Sequence, residues 1–141
     1  WNPGATYAVD VPIFTTSPGA RILFNTVLTR GRYGNAIEAR FASAANVDAA
    51  GNLLDAGIQS RNGASITQAD NRSDAQPGWF LDEATGDLRL SALGLAALAP
   101  IPRSSQAPDD CMAEARTDPT EPGACTRDRQ RVFGDGFEPG G

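Results

Sequence analysis

Residues 36–71 read AIEARFASAANVDAAGNLLDAGIQSRNGASITQADN, and a short pattern occurs twice within them. With one copy further upstream, three hexapeptides share an isoleucine in second position: PIFTTS at 12–17, AIEARF at 36–41 and GIQSRN at 57–62. Ile13 and Ile37 are 24 residues apart, and Ile37 and Ile58 are 21 apart. Repeats of this length are typical of chains that stack one coil on the next. We therefore predict an all-β fold of stacked coils.

The repeats also predict columns of side chains, because successive residues of a strand point to opposite faces. The inward face would hold the isoleucines and the small residues two positions later: Ile13, Ile37 and Ile58 with Thr15, Ala39 and Ser60. Two outward columns would face solvent: Phe14, Glu38 and Gln59 in one, and Thr16, Arg40 and Arg61 in the other.

A second alignment follows each hexapeptide and gives a column of asparagines. It superposes ILFNTV at 22–27, AAGNLL at 49–54 and QADNRS at 68–73, and so aligns Asn25, Asn52 and Asn71. Asparagine tolerates left-handed backbone angles, and its amide can bond to the same group one coil away. The column therefore predicts a turn repeated in every coil.

These hexapeptides, the asparagine column and PGWFLDEATGDLRL at 77–90 together resemble the C-terminal coils of secreted, pectate-lyase-like proteins. The resemblance covers residues 9 to about 90. It implies a right-handed parallel β-helix, a solenoid with strands about 4.8 Å apart, and an exported protein that is associated with carbohydrate. The sequence departs from the family after DLRL, where SALGLAALAPIP stands in place of the frequent Gly-Ser-Pro-Ala segment. We therefore expect a different closing structure.

The predicted organisation has four segments: β-helix coils at 1–90, an apolar cap and linker at 91–110, a disulfide-closed loop at 111–128 and a C-terminal tail at 129–141. Residues 91–101 are too short, and too interrupted by Gly and Pro, to span a bilayer. Instead Leu93, Leu95 and Leu98 are expected to cover the open end of the apolar core. Trp79 is interpreted as a lid rather than as a platform for a sugar ring. The tail resembles short FxxGFE tails of exported bacterial proteins. In the simpler interpretation it is a flexible end whose Phe133 and Phe137 pack on the cap.

The two cysteines of the chain, Cys111 and Cys125, lie in a segment rich in Pro, Gly and Asp. A disulfide between them would stabilise this loop by about 3 kcal/mol in the chain-entropy model. A metal site would need more soft ligands, and histidine is absent; a redox pair would need closer spacing. A disulfide predicts an oxidising compartment, so we expect a secreted or periplasmic protein.

Composition excludes several kinds of chemistry. The net charge is −5, from 12 basic and 17 acidic residues, and every basic residue is arginine. Without histidine there is no Ser-His-Asp triad, no Cys-His pair and no HExxH zinc site; without lysine there is no Schiff base and no P-loop lysine. The acidic balance also argues against nucleic acid as a partner. No cofactor is expected.

One group of residues is a candidate binding site for an anion. Its members are Arg40, Arg61 and Glu38 on the outward columns, and Arg30, Arg32 and Tyr33 from the longer connection TVLTRGRYGN at 26–35. Arginine forks pair with carboxylate or sulfate, and a tyrosine ring can stack on a sugar. The alternative is a solvated face whose arginine stems lie over apolar surface. The site residues therefore have two open interpretations.

No catalytic residue is predicted on these coils. Glu38 is the single acid on the outward columns, and one carboxylate cannot fill both roles of a glycoside hydrolase. Arg40 or Arg61 could neutralise a uronate in a lyase, but arginine holds its proton too tightly to be an ordinary base. Acids in the C-terminal loop lack the spacing of a Ca²⁺ site.

Two functional hypotheses follow. In the first, the chain is the C-terminal part of an exported β-helix protein that binds or acts on an acidic polysaccharide, with any catalytic residues on upstream coils; such an enzyme would be a polysaccharide lyase or a glycoside hydrolase. In the second, it is a non-catalytic stalk or the end of an adhesin. In both, a bare first coil would expose strand backbone. We therefore expect N-terminal coils of the parent chain, or another subunit, to cover residues 1–20.

Overall fold

The computed structural model describes residues 11–126. They form two compact units. The first comprises the described residues up to Gln76 together with Pro122–Ala124, and the second comprises Pro77–Glu121 together with Cys125 and Thr126. The predictions for the tail at 129–141 and for the first ten residues lie outside the described range.

The first unit consists of short strands joined by turns. In chain order, its strands are β1 (Ile13–Thr15), β2 (Arg21–Leu23), β3 (Thr26–Val27), β4 (Asn35–Arg40), β5 (Val47–Ala50), β6 (Leu53–Leu54), β7 (Gly57–Arg61) and β8 (Ile66–Ala69). They form three sheets with the strand orders β1-β4-β7, β2-β5-β8 and β3-β6. Every strand pair in these sheets is parallel. The chain thus visits the three sheets in the same order on successive passes, which confirms an all-β fold of parallel strand stacks.

The isoleucine column has the predicted register. Ile13 is directly opposite Ile37, and Ile37 is opposite Ile58. Ile37 and its neighbour on the same face, Ala39, are fully buried, whereas the two outer isoleucines pack partly buried against the core. Further buried residues complete the core of the unit: Ile22, Val27, Ala36, Ala44, Val47, Ala49 and Leu54. Alternation along β4 therefore places an apolar row between the sheets.

The asparagine column forms a continuous hydrogen-bonded ladder. The Oδ1 atom of Asn52 accepts bonds from the backbone N–H and the Nδ2 group of Asn25, at 2.9 and 3.0 Å. The Oδ1 atom of Asn71 accepts the equivalent pair from Asn52, at 3.0 and 2.8 Å. Asn52 has no exposed surface. The prediction that each amide bonds to the equivalent amide of the next repeat is confirmed.

Glycine is required where the backbone turns tightly or approaches a side chain. Gly51, which precedes the ladder residue Asn52, has φ +66°, and a Cβ atom there would lie 2.9 Å from the ring of Phe24. Gly63 has φ +86° and follows Asn62, whose φ is also positive. These two residues form the turn in which the N–H of Ala64 donates to the carbonyl of Arg61, at 3.1 Å. The turn links the first sheet to the second.

The second unit begins with an antiparallel hairpin. Strands β9 (Phe80–Asp82) and β10 (Asp87–Leu90) flank a 3₁₀ turn at Glu83–Thr85. Helix α1 (Ala92–Ala97) follows, and the Ser91 hydroxyl caps it by accepting the Gly94 N–H at 3.2 Å. The segments WFLD and DLRL thus form strands, but they pair in the antiparallel sense.

Apolar residues around the helix differ in exposure. Trp79 and Leu98 are buried, whereas Leu93 is 59% exposed. A Cβ at Gly94 would lie 2.2 Å from the Trp79 carbonyl oxygen, so glycine is needed for this close packing. Trp79 is therefore enclosed rather than presented for stacking, and the capping role of Leu93, Leu95 and Leu98 stays a prediction. No helix within residues 11–126 is long and apolar enough to cross a membrane.

Candidate functional site

The first sheet, β1-β4-β7, carries three of the six predicted binding residues, Glu38, Arg40 and Arg61. Phe14 is opposite Glu38, and Glu38 is opposite Gln59. Arg40 is directly opposite Arg61 on the neighbouring strand. These five residues share one face of the sheet, because they occupy alternate positions along their strands. We call them the arginine face.

Glu38 does not face solvent, so that part of the prediction is wrong. The residue is only 2% exposed. Its two carboxylate oxygens take different partners: Oε1 pairs with Nε of Arg40, and Oε2 lies 3.5 Å from Nε of Arg61. The two arginine side chains shield the carboxylate from water. Spacing indicates that Glu38 and Arg40 share a face, since residues i and i+2 of a strand do, but it does not indicate that the carboxylate is covered.

Gln59 and Asn35 extend the polar contacts on the arginine face. The Oε1 atom of Gln59 accepts hydrogen bonds from Nδ2 of Asn35 at 2.6 Å and from Nη2 of Arg61 at 3.1 Å. The Asn35 contact was not predicted. It belongs to the first residue of β4, where the pairing register with β7 shifts. The polar row therefore links the beginning of β4 to the end of β7.

Phe14 gives the arginine face an aromatic surface. The guanidinium carbon of Arg40 lies 5.7 Å from the centre of the Phe14 ring. Such cation–π contacts contribute about 0.5–1 kcal/mol at exposed sites. Phe14 is 37% exposed, and Phe41, directly after β4, is 50% exposed. The face thus combines two guanidinium groups, one shared carboxylate and an accessible ring.

The connection before β4 is anchored by Asp55. Its carboxylate accepts the backbone N–H groups of Thr29 at 2.6 Å and Arg30 at 2.8 Å, and Nη1 of Arg30 lies 3.5 Å away. Burial alone would raise the pKa of the Asp55 carboxyl, but these hydrogen bonds and the Arg30 charge outweigh it and lower the pKa. Asp55, which directly follows the two leucines of β6, was not selected from the sequence.

The three predicted site residues of this connection have different environments. Arg30 contacts Asp55, Arg32 is exposed and Tyr33 is half-buried. Their participation in ligand binding stays a prediction.

No protein family, curated protein or solved structure matches this chain. The arginine face therefore has to be interpreted from its own geometry. As arranged, it can bind an anion through arginine N–H groups and an apolar ring through Phe14. Among the described strands of this sheet, Glu38 is the single acid, so the face holds no pair of carboxylates for acid–base catalysis.

The C-terminal loop of the second unit is closed by the predicted disulfide between Cys111 and Cys125. Asp110, next to Cys111, organises this loop. Its carboxylate accepts hydrogen bonds from the N–H groups of Met112 and Glu114 and from the Thr126 hydroxyl, at 2.9, 3.1 and 2.6 Å. Burial would raise the pKa of the Asp110 carboxyl, but these bonds outweigh it and lower the pKa.

The acids of this loop lack the regular spacing of a Ca²⁺ site. Within residues 11–126, no group of three or more His, Cys, Asp or Glu side chains could hold a metal ion. Asp110 instead acts as a hydrogen-bond acceptor for backbone and hydroxyl groups.

Proposed function

We propose that this chain is the C-terminal part of an exported, right-handed parallel β-helix protein, and that its arginine face binds an acidic polysaccharide. Three strand stacks visited in a fixed order support the solenoid. Right-handedness is supported by the strong preference of parallel crossover connections for that hand. Any catalytic residues would lie on coils outside this chain.

One observation carries the binding proposal: Arg40 and Arg61 are in register on adjacent strands and share a single carboxylate. The face therefore keeps an excess positive charge in a chain whose net charge is −5. A carboxylated sugar could place its anion on the guanidinium groups and its apolar face on Phe14, as aromatic rings commonly pack. Arg30, Arg32 and Tyr33 would extend the binding surface beyond the arginine face.

Export is supported by the disulfide, since such bonds persist in oxidising compartments. The segment PGWFLDEATGDLRL and the asparagine ladder support the pectate-lyase-like relationship, which stays part of the proposal.

A stalk or adhesin end is the second candidate. It is favoured by the fact that Glu38 and Gln59 already provide partners for both arginines. In that case the arginine face would be a solvated surface held together by internal ion pairs, which contribute little energy when they are exposed.

Binding of the 141-residue chain to polygalacturonate, a carboxylated polymer, and to neutral dextran distinguishes the two candidates. We expect polygalacturonate to bind and dextran not to bind. The Arg61→Gln variant should weaken binding about tenfold, equivalent to about 1.4 kcal/mol. Arg21→Gln is the matched control, because Arg21 is an exposed arginine on the second sheet, 4.0 Å from Asp48. Equal losses in both variants, or no binding by the unmodified chain to any acidic glycan on an array, would favour the stalk.

A further inference from the structure

Glu38 is buried, unlike the acid of an ordinary surface ion pair, and the described strands of its sheet hold no second carboxylate with which it could act in catalysis. Its side chain is only 3% exposed, whereas those of its partners Arg40 and Arg61 are 29% and 46% exposed. Its Oε1 atom accepts a hydrogen bond from Nε of Arg40, and its Oε2 atom lies 3.5 Å from Nε of Arg61 in an ion pair. A carboxylate buried under two guanidinium groups fixes their orientation from below.

We propose that Glu38 is the positioning and specificity-determining residue of the arginine face. This inference rests on the proposed function. By occupying the Nε edge of each arginine, Glu38 directs their terminal nitrogens toward the ligand. Among residues 11–126, no side chain or carbonyl accepts a hydrogen bond from Nη1 or Nη2 of Arg40, which lies over the Phe14 ring. Arg61 uses Nη2 for Gln59.

The carboxylate also sets the charge of the face. Strands β1, β4 and β7 contain three charged residues, namely Glu38, Arg40 and Arg61, and therefore carry one net positive charge. This single positive charge neutralises a ligand that presents one carboxylate to the arginine face. A densely sulfated polymer brings several charges to the same area and finds no further positive charge on the sheet. Glu38 therefore selects ligands of low charge density.

The test compares polygalacturonate with dextran sulfate, at equal concentration of anionic groups, for binding to the full chain. In Glu38→Gln the face keeps a similar shape but carries two net charges. We expect the dextran sulfate affinity of this variant to rise about tenfold and its polygalacturonate affinity to change by less than about threefold. Because binding to a polyanion releases counterions in proportion to the charges engaged, its salt dependence should steepen by about one unit of log K per log salt.

Two control variants test the contribution of charge. Asp48→Asn removes one acid from the neighbouring second sheet, so it adds the same charge without touching Glu38; we expect the ratio of the two affinities to stay as in the unmodified chain. The double variant Glu38→Gln with Arg40→Gln restores one net charge; if net charge sets the selectivity, its affinity ratio should return to that of the unmodified chain, while both affinities fall because Arg40 no longer contacts the ligand.

A second readout is independent of any polysaccharide. The Nε–Hε resonances of Arg40 and Arg61 report on the contact with Glu38, and we expect both to shift in Glu38→Gln and neither to shift in Asp48→Asn. If the unmodified chain binds neither polymer, the proposed function and the selectivity fail together, and shifted resonances would then support positioning alone. If polygalacturonate binds but Glu38→Gln and Asp48→Asn change the affinity ratio equally, the proposed function stands and the role of Glu38 is refuted.

Discussion

Replacing Asn52 by alanine should destabilise the first unit more than any other change in the asparagine ladder. Its side chain makes four hydrogen bonds, two of them with main-chain groups: the N–H of Asn25 and the carbonyl of Ile22. Asn52 is fully buried, so water cannot readily replace these bonds. A buried polar group left without a partner costs about 1–3 kcal/mol. Two such groups give about 2–6 kcal/mol, and we expect a loss near the middle of this range.

The comparison with Asn25→Ala makes the magnitude testable. Asn25 is half-buried at the end of the ladder, and its side chain donates to the Leu23 carbonyl and to Asn52. Its loss should cost about 1 kcal/mol, since water can reach the freed groups. Urea unfolding followed by far-ultraviolet circular dichroism gives both free energies. Hydrogen exchange of residues 20–27 should also accelerate in Asn52→Ala. If Asn52→Ala lowers the free energy of unfolding by less than about 1 kcal/mol, or by the same amount as Asn25→Ala, the ladder is refuted as a source of stability.

Three further perturbations test other parts of the account. Ile37→Ala should lower the free energy of unfolding by about 2–5 kcal/mol, because the side chain is fully buried. Ile66→Ala, at a half-buried position, should lower it less in the same urea experiment. Acid should destabilise the chain, because Asp55 and Asp110 have lowered pKa values in the folded state. Their contribution to the free energy of unfolding is complete above the ordinary pKa of 3.8 and is lost as pH falls through the lower folded pKa. Asp110→Asn should flatten that part of a profile of unfolding free energy measured from pH 7 to pH 2. Replacing Cys111 and Cys125 together by alanine should cost about 3 kcal/mol in urea unfolding, from the loop that their bond closes, and an unchanged midpoint would contradict this.

The periodic part of the fold could be predicted from the sequence because each pass of the chain through the strand stacks repeats the same physical requirement. An isoleucine at the second position of each hexapeptide meets the same residue on the next strand, and an asparagine meets an asparagine. Parallel stacking in register therefore follows from the spacing alone. The antiparallel hairpin of β9 and β10 has no repeat, so the sequence indicated strands and a turn but not their pairing.

The sequence predicted which residues of the sheet lie beside one another in the candidate site, but not how their side chains contact one another. The columns correctly placed Arg40 beside Arg61 and Glu38 beside Gln59. Alternation says which face a side chain occupies, but it does not say that two long arginine side chains will bend over a shorter glutamate and bury it. Asp55 and Asp110 escaped notice because they bind backbone N–H groups of loops, and such contacts depend on loop conformation rather than on a side-chain pattern.

The stacking of Ile13, Ile37 and Ile58 is the central claim, and methyl–methyl nuclear Overhauser contacts in an isoleucine-labelled sample test it most directly. Stacking in register predicts cross-peaks between Ile13 and Ile37 and between Ile37 and Ile58, with a much weaker peak between the two outer residues, because neighbouring strands lie about 4.8 Å apart. Strong contacts of Ile37 with isoleucines of other sheets, without contacts to Ile13 and Ile58, would contradict it.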